Sequence, residues 1–582
     1  MNLTELQQCA CDGWNTWYNE NILSHVLLPY GFSINLSFRR KTTGDTLRHL
    51  LINRDSPVRA DARSIDGSYT CLHIRHGNVP LKVESAVKNG EQIIIVTPEG
   101  YYTSEEQLIV ETAFLWGRDG TLIKENGMLG AVCPDGRRIQ LYSCTAPYNF
   151  YLPELTSPAM FFTLNSPIVI STFPCTTYEA LKIVGESRRQ LRSKIDGYGA
   201  RAEAYEAMQS CLGWNTVYDP IKNRVCTPVT RNWNRGNSIN IFCWDTFFGA
   251  LMLAEINEKF AYLNIKAILD EMTEEGMIPN NTGSNHSQPP VGSMVIDEIY
   301  RKNGDTELLR EVYPKLMLWN KWYYDNRMTE EGYMCWGTGT YGKKKENLFG
   351  AKCESGMDNS PIFDDAVYDE ARGICMIADV GLMGLFIKDC KALISFSKIL
   401  GLSDNIAELE TRMNRAQKAL DTLWNEKEGI FENLDLATGK FCPRLSPFNF
   451  FSLFSSISES QKASIIKNHL LSESEFWGEY PLPSISKNDP SFYEQHYWRG
   501  RIWAPLNAIV YIALKDARAY AEAKLLAEKS ERILLNCWQK DRRVYENYSA
   551  IDGSGDSARQ SDAFYHWGAL LGYIAIDAES LI

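Results

Sequence analysis

Carboxylates that stand among aromatic residues are the most informative feature of this sequence. Asp358 lies in residues 355–361 (SGMDNSP), which have neither a helical nor a strand period. Asp, Asn, Ser and Pro favour turns, so the segment alone predicts a loop, and a loop on a rigid scaffold can also carry a catalytic carboxylate. Glu546 stands between Tyr545 and Tyr548, just past a predicted helix. Two such carboxyl groups can act as general acid and general base, which is the chemistry of glycoside hydrolysis.

Further segments combine aromatic, amide and charged residues that suit a sugar-binding pocket. Aromatic rings can stack on the apolar C–H faces of a sugar, while carboxylate, guanidinium and amide groups bond to its hydroxyls. The residues predicted to bind substrate in this way are Arg231, Trp233, Trp244, Asp245, Gln288, Glu354, Tyr497, Trp498, Arg499, Gly500, His566 and Trp567. Each also has a structural interpretation. Asp245, for example, opens an apolar helix and is a suitable N-cap.

Other catalytic motifs are absent from the sequence. It contains no GxSxG, no HExxH, no phosphate-binding GxxxxGK[ST] and no GxGxxG after a predicted strand. The 15 cysteines are scattered singly apart from Cys9 and Cys11, whose spacing is poor for zinc. We therefore predict a site without metal or cofactor, and a metal-dependent hydrolase is disfavoured. Residues 552–556 (DGSGD) only partly match a calcium loop, and a polar loop is the favoured interpretation.

Composition narrows the range of partners. The net charge is −12 and the longest basic run is residues 343–345, so we expect no nucleic-acid partner. No uninterrupted apolar stretch reaches the ~18 residues that a membrane span needs. The N-terminal residues lack a signal-peptide pattern and the odd number of cysteines fits free thiols, so we expect a cytoplasmic protein, or a periplasmic or secreted one if a signal was removed. The expected partner is a small carbohydrate, and the oligomeric state stays open.

The hydrophobic pattern changes near residue 175 and predicts two domains joined by a helix. Before this point, alternating runs such as 31–40 and 91–100 are separated by turn residues, which predicts antiparallel strands and a β-sandwich at residues 1–175. Residues 176–204 have apolar positions at helical spacing and predict a linker. Residues 205–582 contain roughly a dozen helical segments with long polar loops, which favours an all-α domain with a site at one end of a helical toroid.

Five blocks of sequence, two of which contain two segments each, together and in this order resemble glycoside hydrolase family 63 and, more distantly, the trehalases. The matching segments are RNW at 231–233 with WDTFF at 244–248, MIPN at 277–280 with SQPP at 287–290, ESGMDNSP at 354–361, YWRG at 497–500 and YENY at 545–548. The resemblance covers roughly residues 205–582 and implies an (α/α)6 toroid. An N-terminal β-sandwich is also similar to the bacterial family 63 layout.

The resemblance implies that Asp358 is the general acid and Glu546 the general base of an inverting, exo-acting α-glycosidase, most often an α-glucosidase. Inversion needs the two carboxyls about 6.5–9.5 Å apart, with a water on one side of the sugar. The sequence departs from the family at two positions: Arg501 stands where Pro is common, and His286 stands where trehalase-like loops usually carry Arg. These departures bear on the choice of substrate. The alternatives are a trehalase-like hydrolase of another small glycoside and a catalytically silent carbohydrate-binding protein.

Overall fold

The computed structural model describes residues 2–100, 105–339, 347–556 and 560–581. The chain forms two compact units: a sheet unit of residues 4–239 and 540–543, and a helical unit of residues 1–3, 240–539 and 544–582. The predicted change from strands to helices along the chain is confirmed. The helix Ala202–Asn215 and the segment up to residue 239 belong to the sheet unit, whereas the sequence analysis placed residues 202–204 in the linker and residues 205–239 in the helical domain.

The sheet unit contains two larger antiparallel sheets. The first has the order Gly13–Asn15, Ser24–Leu28, Phe32–Arg40, Glu106–Phe114 and Ala159–Thr163, with Thr46–Leu47 beside Phe32–Arg40. The second has the order Ile168–Ser171, Glu91–Pro98, Val79–Lys88, Tyr69–His76 and Val58–Arg63. Shorter pairings join Thr121–Glu125, Met128–Val132 and Arg138–Gln140, and Val217–Asp219 with Arg224–Cys226. The strands predicted at residues 31–40 and 91–100 are therefore present.

The predicted linker helix is also present, as Thr177–Asp196. The short helix Leu3–Ala10 precedes it near the N-terminus. The first turn of the linker helix is closed by a capping box, in which the Thr176 hydroxyl accepts the Glu179 N–H and the Glu179 carboxylate accepts the Thr176 N–H. This reciprocal pair satisfies two backbone donors that an uncapped helix would leave unbonded. The cap explains why the helix begins where the strands end.

The helical unit is built from α-helices joined by long loops and short strand pairs. Its helices are Cys243–Ile256, Glu258–Leu269, Gly292–Asn303, Thr306–Arg327, Leu348–Glu354, Val380–Leu400, Asp404–Asp421, Glu459–Ser464, Ala504–Asp516, Tyr520–Asp541 and Leu570–Ala578. Its 3-10 helices are Pro361–Phe363, Pro447–Phe454, Pro490–Glu494 and His566–Ala569, and Ile465–Leu470 is a π-helix. The strand pairs are Tyr368–Asp369 with Ile374–Cys375, Ile377–Ala378 with Leu434–Asp435 and Lys440–Phe441, and Trp424–Asn425 with Ile430–Phe431.

The helix Cys243–Ile256 lies in the interior of the helical unit. Nearly all of its residues are buried, including Trp244 and Asp245 in its first turn. A helix that is apolar on every face is stable only when other elements surround it. Its polar first turn is therefore held at a fixed place inside the unit. In the described part of the chain, no helix is both long and apolar enough to cross a bilayer.

Candidate active site

The loop that carries Asp358 is shaped by the residues before it. The Ser355 hydroxyl accepts the Met357 N–H at 3.1 Å and so closes a tight turn. Gly356 adopts a φ of +75°, and a Cβ at this position would lie 2.5 Å from the ring of Trp244. Only glycine satisfies both the left-handed backbone and this close approach. The turn therefore directs Asp358 from a backbone pressed against a buried indole.

Asn359 joins this loop to the segment that begins at His496. Its side-chain oxygen accepts the Trp498 N–H at 2.8 Å, and its amide donates to the His496 carbonyl at 3.2 Å. The Arg499 guanidinium donates to the Asn359 carbonyl at 3.3 Å. Three hydrogen bonds at one residue fix the chain directly after Asp358, which explains the Asp-Asn order in the sequence.

Glu546 is held through both its backbone and its carboxylate. Its N–H donates to the Asp562 carbonyl at 2.9 Å, and its own carbonyl accepts the Trp567 indole N–H at 2.7 Å. One carboxylate oxygen accepts the Tyr497 hydroxyl at 3.2 Å, and the other accepts the Asp562 N–H at 3.1 Å. Two donors on one carboxylate favour its ionised form.

Asp245 lies in the first turn of Cys243–Ile256 but does not cap it. Gln288 does so instead, because its side-chain oxygen accepts the Trp244 N–H at 3.0 Å. Asp245 is 2% exposed, and its carboxylate accepts the Tyr565 hydroxyl at 3.0 Å. Asp245 is thus a third carboxyl group beside Asp358 and Glu546, available for a role other than helix capping.

Four tryptophans pack behind these carboxyls. Trp498 stacks on Trp503 with ring centroids 3.6 Å apart, and the Trp567 ring lies 5.7 Å from both Trp244 and Trp503. All four side chains are buried. They form a packed wall that holds the surrounding loops, and they do not offer the open stacking surface that the sequence suggested for Trp244, Trp498 and Trp567.

The carboxyls act on one another electrostatically. Burial raises the pKa of Asp358 and of Asp245 to about 7, and the charge of Asp358 adds to the shift of Asp245. Burial also raises the pKa of Glu546 to about 8, with a smaller contribution from Asp245. The Tyr497 pKa is raised by burial and by the charges of Glu546, Asp358 and Asp245. The structure therefore brings these four residues, predicted from distant segments, into one site.

A cavity of about 600 Å³ opens at Asp358. It is lined by Leu348, Phe349, Lys352, Asp358, Asn359, Asp364, Glu494, His496 and Arg499. The Arg499 guanidinium pairs with Asp364 at 2.9 Å and Glu494 at 2.7 Å, so it braces the cavity wall. Asp358 thus faces a space that can hold part of a bound molecule.

Arg231 does not fit its predicted contact with sugar. It belongs to the sheet unit, is 2% exposed, and donates to the backbone carbonyls of Thr16, Tyr18, Trp214 and Thr216. Its guanidinium is therefore used to hold backbone groups together. Trp233, in the same unit, is 42% exposed.

Glu354 also has a different role from the one predicted. It is fully buried, and its carboxylate accepts from Arg327 at 2.6 and 2.8 Å and from the N–H groups of Ser287 and Gly337. These contacts occupy the carboxylate with protein donors. Glu354 ties two loops to the end of Thr306–Arg327, and no sugar contact is needed to account for it.

Two further predicted residues support the site through packing. His566 is fully buried, burial lowers its pKa to about 3, and neither ring nitrogen has a hydrogen-bond partner in the described parts of the chain. This neutral ring packs against Gly249 of the helix Cys243–Ile256, where an added Cβ would lie 3.3 Å from it. Gly500 adopts a φ of +103°, and a Cβ there would lie 2.1 Å from the Phe492 carbonyl, so it permits a close turn.

Arg501, where the resembling enzymes commonly have Pro, links two loops of the site. Its guanidinium donates to the Asn547 side chain. The next residue, Ile502, exchanges backbone hydrogen bonds with Tyr548 at 2.7 and 2.9 Å. The loop before Ala504–Asp516 is therefore joined to the loop of Glu546. His286, the other departure, contacts the Asn280 amide at 2.9 Å within its own loop.

Three residues of the site lie in the segments that the sequence singled out but were not among the predicted site residues. Tyr565 binds Asp245, Asn359 anchors the loop of Asp358, and Trp503 stacks on Trp498. Each stands within six positions of a predicted residue. Only the tertiary contacts distinguish them from neighbouring polar and aromatic residues.

The helical unit brings the carboxyls of Asp245, Asp358 and Glu546 close enough to affect one another's pKa, and Asp358 lines a cavity. This arrangement is typical of a glycoside hydrolase. Residues 238–567 match the family described as the mannosylglycerate hydrolase MGH1-like glycoside hydrolase domain. This match spans more than half of the chain, and the chain belongs to that family. The predicted resemblance to glycoside hydrolase family 63 and the trehalases is thereby confirmed.

Individual relatives agree with this assignment. The chain is 24% identical to mannosylglycerate hydrolase MGH1 of Selaginella moellendorffii, over 54% of this chain and 76% of that protein. It is 23% identical to the periplasmic trehalase of Citrobacter koseri, over 66% of this chain and 73% of that protein. The crystal structure of GH63 mannosylglycerate hydrolase from Thermus thermophilus in complex with glucose matches with a TM-score of 0.51 and 20% identity, over 64% of this chain and 99% of that one.

Proposed function

We propose that the protein is an inverting, exo-acting α-glycosidase in which Asp358 is the general acid and Glu546 the general base. The observation that carries this proposal is the difference between their surroundings. Glu546 accepts two hydrogen bonds that favour a carboxylate, whereas Asp358 faces the cavity. Asp358 can therefore protonate a leaving oxygen held there, while Glu546 takes a proton from the attacking water.

The pKa values of the two carboxyls do not assign the roles by themselves. The value for Glu546, about 8, lies above that for Asp358, about 7, although the base must be ionised and the acid protonated. Hydrogen bonding supports the assignment, because the Tyr497 hydroxyl and the Asp562 N–H donate to Glu546. Only a fraction of the molecules then has Asp358 protonated and Glu546 ionised at the same time. Hydrolysis is therefore expected over a narrow range of pH.

We infer an (α/α)6 toroid for the catalytic domain and a β-sandwich for residues 1–175, linked by residues 176–204. The succession of helices in the helical unit and the likeness to a GH63 structure support the toroid. Two larger antiparallel sheets support the sandwich. A toroid places successive loops at one end. In keeping with this, Trp498 contacts the loop of Asp358 and its neighbour Tyr497 contacts Glu546.

Glucose is the sugar that the family resemblance most often implies, and trehalose is the disaccharide suggested by the trehalase relatives. One observation favours a second candidate, a small glycoside with an acidic aglycone. Lys352 lines the same cavity as Asp358, so its ammonium can attract a carboxylate on the leaving group. Mannosylglycerate, the compound in the relatives' names, carries such a group.

A substrate panel tests this proposal. Purified protein is incubated with trehalose, α-linked glucose disaccharides, mannosylglycerate and aryl α-glycosides, and the released monosaccharide is measured. We expect hydrolysis of at least one of them. Binding of a sugar without hydrolysis of any member would favour the catalytically silent alternative and contradict the proposal.

Charge recognition by Lys352 has its own control. Lys352→Met is expected to raise KM for an acidic aglycone about tenfold, with little effect on a neutral aryl glycoside of the same sugar. Lys398→Met, at the end of Val380–Leu400, should alter neither. Equal effects of Lys352→Met on both substrates would contradict a role in recognising the carboxylate.

A further inference from the structure

Three side chains of different chemistry converge in the sheet unit. Asp61 belongs to Val58–Arg63, and Cys71 and His73 belong to the neighbouring strand Tyr69–His76. One carboxylate oxygen, the thiol sulfur and one imidazole nitrogen all lie within 4.8 Å of one another. These three groups take no part in the chemistry proposed for Asp358 and Glu546.

Strand geometry explains why they meet. Cys71 and His73 are two residues apart, so they share one face of their strand. The partner strand pairs Ala60 with Leu72 and Arg63 with Thr70, so Asp61 and Ala62 together oppose Cys71. This is a β-bulge, which redirects a side chain and increases local twist. The bulge places the Asp61 carboxylate beside the thiol and the ring.

The contacts of His73 match those of a metal ligand. Its Nε2 lies 3.4 Å from the Asp61 carboxylate. Two ligands bound tetrahedrally to zinc through nitrogen and oxygen are about 3.3 Å apart. Its Nδ1 lies 3.1 Å from the Glu99 carboxylate. Metal-bound histidines commonly give their second ring nitrogen to a carboxylate, which fixes the tautomer and the ring orientation.

Access and charge also suit a cation. The three side chains line a cavity of about 290 Å³. The Asp61 and His73 side chains are 28% and 33% exposed, whereas Cys71 is 5% exposed. Three cations line the cavity. Lys82 and Arg188 pair with Glu84 at 3.0 and 2.8 Å, and Arg192 pairs with Asp196 at 2.9 Å. Arg542, whose charge also acts on Asp61, pairs with Glu206 at 3.2 Å.

We propose that Asp61, Cys71 and His73 bind one Zn²⁺ ion, with water as the fourth ligand and Glu99 orienting the imidazole. A thiolate and an imidazole select zinc over calcium or magnesium, which prefer oxygen ligands. The thiol proton is released to solvent when the metal binds. The bound ion joins Val58–Arg63, at the edge of its sheet, to the next strand and so stabilises the sheet unit.

A competing interpretation uses no metal. A protonated His73 between Asp61 and Glu99 would form two ordinary ion pairs. That interpretation gives the thiol of Cys71 no role and predicts that the protein binds no zinc at this place. The two interpretations therefore differ in the number of zinc ions bound per chain, one or none, and in whether the Cys71 sulfur binds a metal.

Metal titration of the whole protein tests the proposal. Protein freed of metal with a chelator is titrated with Zn²⁺ by equilibrium dialysis, and with Co²⁺ by absorption spectroscopy. We expect one Zn²⁺ per chain, a thiolate-to-cobalt charge-transfer band, and a higher melting temperature in the metal-bound protein. Binding of no zinc at micromolar concentration, or a cobalt spectrum without sulfur ligation, would overturn the proposal.

Variants locate the site. Cys71→Ser is expected to lose the charge-transfer band, Asp61→Asn and His73→Gln to abolish stoichiometric zinc binding, and Glu99→Gln to weaken it about 10–100-fold. Cys133→Ser removes another buried thiol of the sheet unit and should change none of these. If Cys71→Ser does not fold, X-ray absorption spectroscopy of the zinc-loaded wild type tests whether Cys71 is a ligand, because the zinc must then have one sulfur atom among its nearest neighbours. Equal binding by all variants would contradict the assignment.

Discussion

Replacement of Asp358 by Asn tests the acid role most selectively, because the effect should depend on the leaving group. Asn keeps the shape of the side chain but has no proton to donate to a departing oxygen. With its pKa raised to about 7, Asp358 is about nine-tenths protonated at pH 6. At an ordinary Asp pKa, fewer than about 1% of the molecules would hold that proton. Burial thus supplies the acid form that the reaction uses.

The expected loss follows from this role. General acid catalysis contributes about 10²–10⁴-fold, so Asp358→Asn should lower kcat/KM by that factor on a glycoside whose leaving oxygen needs protonation. On the α-glycosyl fluoride of the same sugar the loss should be within about tenfold, since fluoride leaves as a stable anion with little help from an acid.

Glu546→Gln is the matched comparison. It removes the base that activates water, so both substrates should lose activity to a similar extent, about 10²-fold or more. Initial rates with the two substrates and three proteins give the result directly. If Asp358→Asn lost equal activity on both substrates, or if only Glu546→Gln showed dependence on the leaving group, the assigned roles would be wrong.

Three further predictions concern pH and the scaffold of the site. The rate should show a bell-shaped pH dependence with its optimum between about 7 and 8, because activity falls as the base is protonated below about 8 and as the acid ionises above about 7; a flat profile from pH 5 to 9 would contradict it. Gly356→Ala should lower the free energy of unfolding by about 2–5 kcal/mol, from its left-handed backbone and its contact with a buried ring. Both free energies are measured by urea titration. Gly185→Ala, in a helix with open space around it, should leave the free energy of unfolding unchanged or raise it. Glu354→Gln should lower the free energy of unfolding by about 3–5 kcal/mol, because it leaves Arg327 buried without its charged partner. Glu307→Gln on the surface should change the midpoint of the urea titration little.

The sequence predicted the parts of the site that depend on residue type and order. Asp358 and Glu546 stood out because carboxylates lay among turn residues and aromatics. The change from alternating to helical periodicity marked the end of the two larger sheets, although the sheet unit itself continues to residue 239. The predicted convergence of distant segments is visible in the contacts around Tyr497.

The roles that the sequence analysis assigned wrongly or did not find are those set by tertiary contacts. Glu354 and Arg231 have the residue types of sugar ligands, yet one is saturated by Arg327 and the other by backbone carbonyls. Neither partner is near in sequence. The cluster at Asp61 was invisible for the same reason, since a bulge in one strand brings it beside residues of the next.

The anomeric configuration of the first product tests the central claim most directly. Proton NMR follows hydrolysis of the best α-glycoside with a non-sugar aglycone, mannosylglycerate or an aryl α-glycoside, at a time before mutarotation mixes the anomers. If Glu546 directs water to the face opposite the leaving group protonated by Asp358, the first sugar detected is the β-anomer. Initial release of the α-anomer would contradict the proposed mechanism.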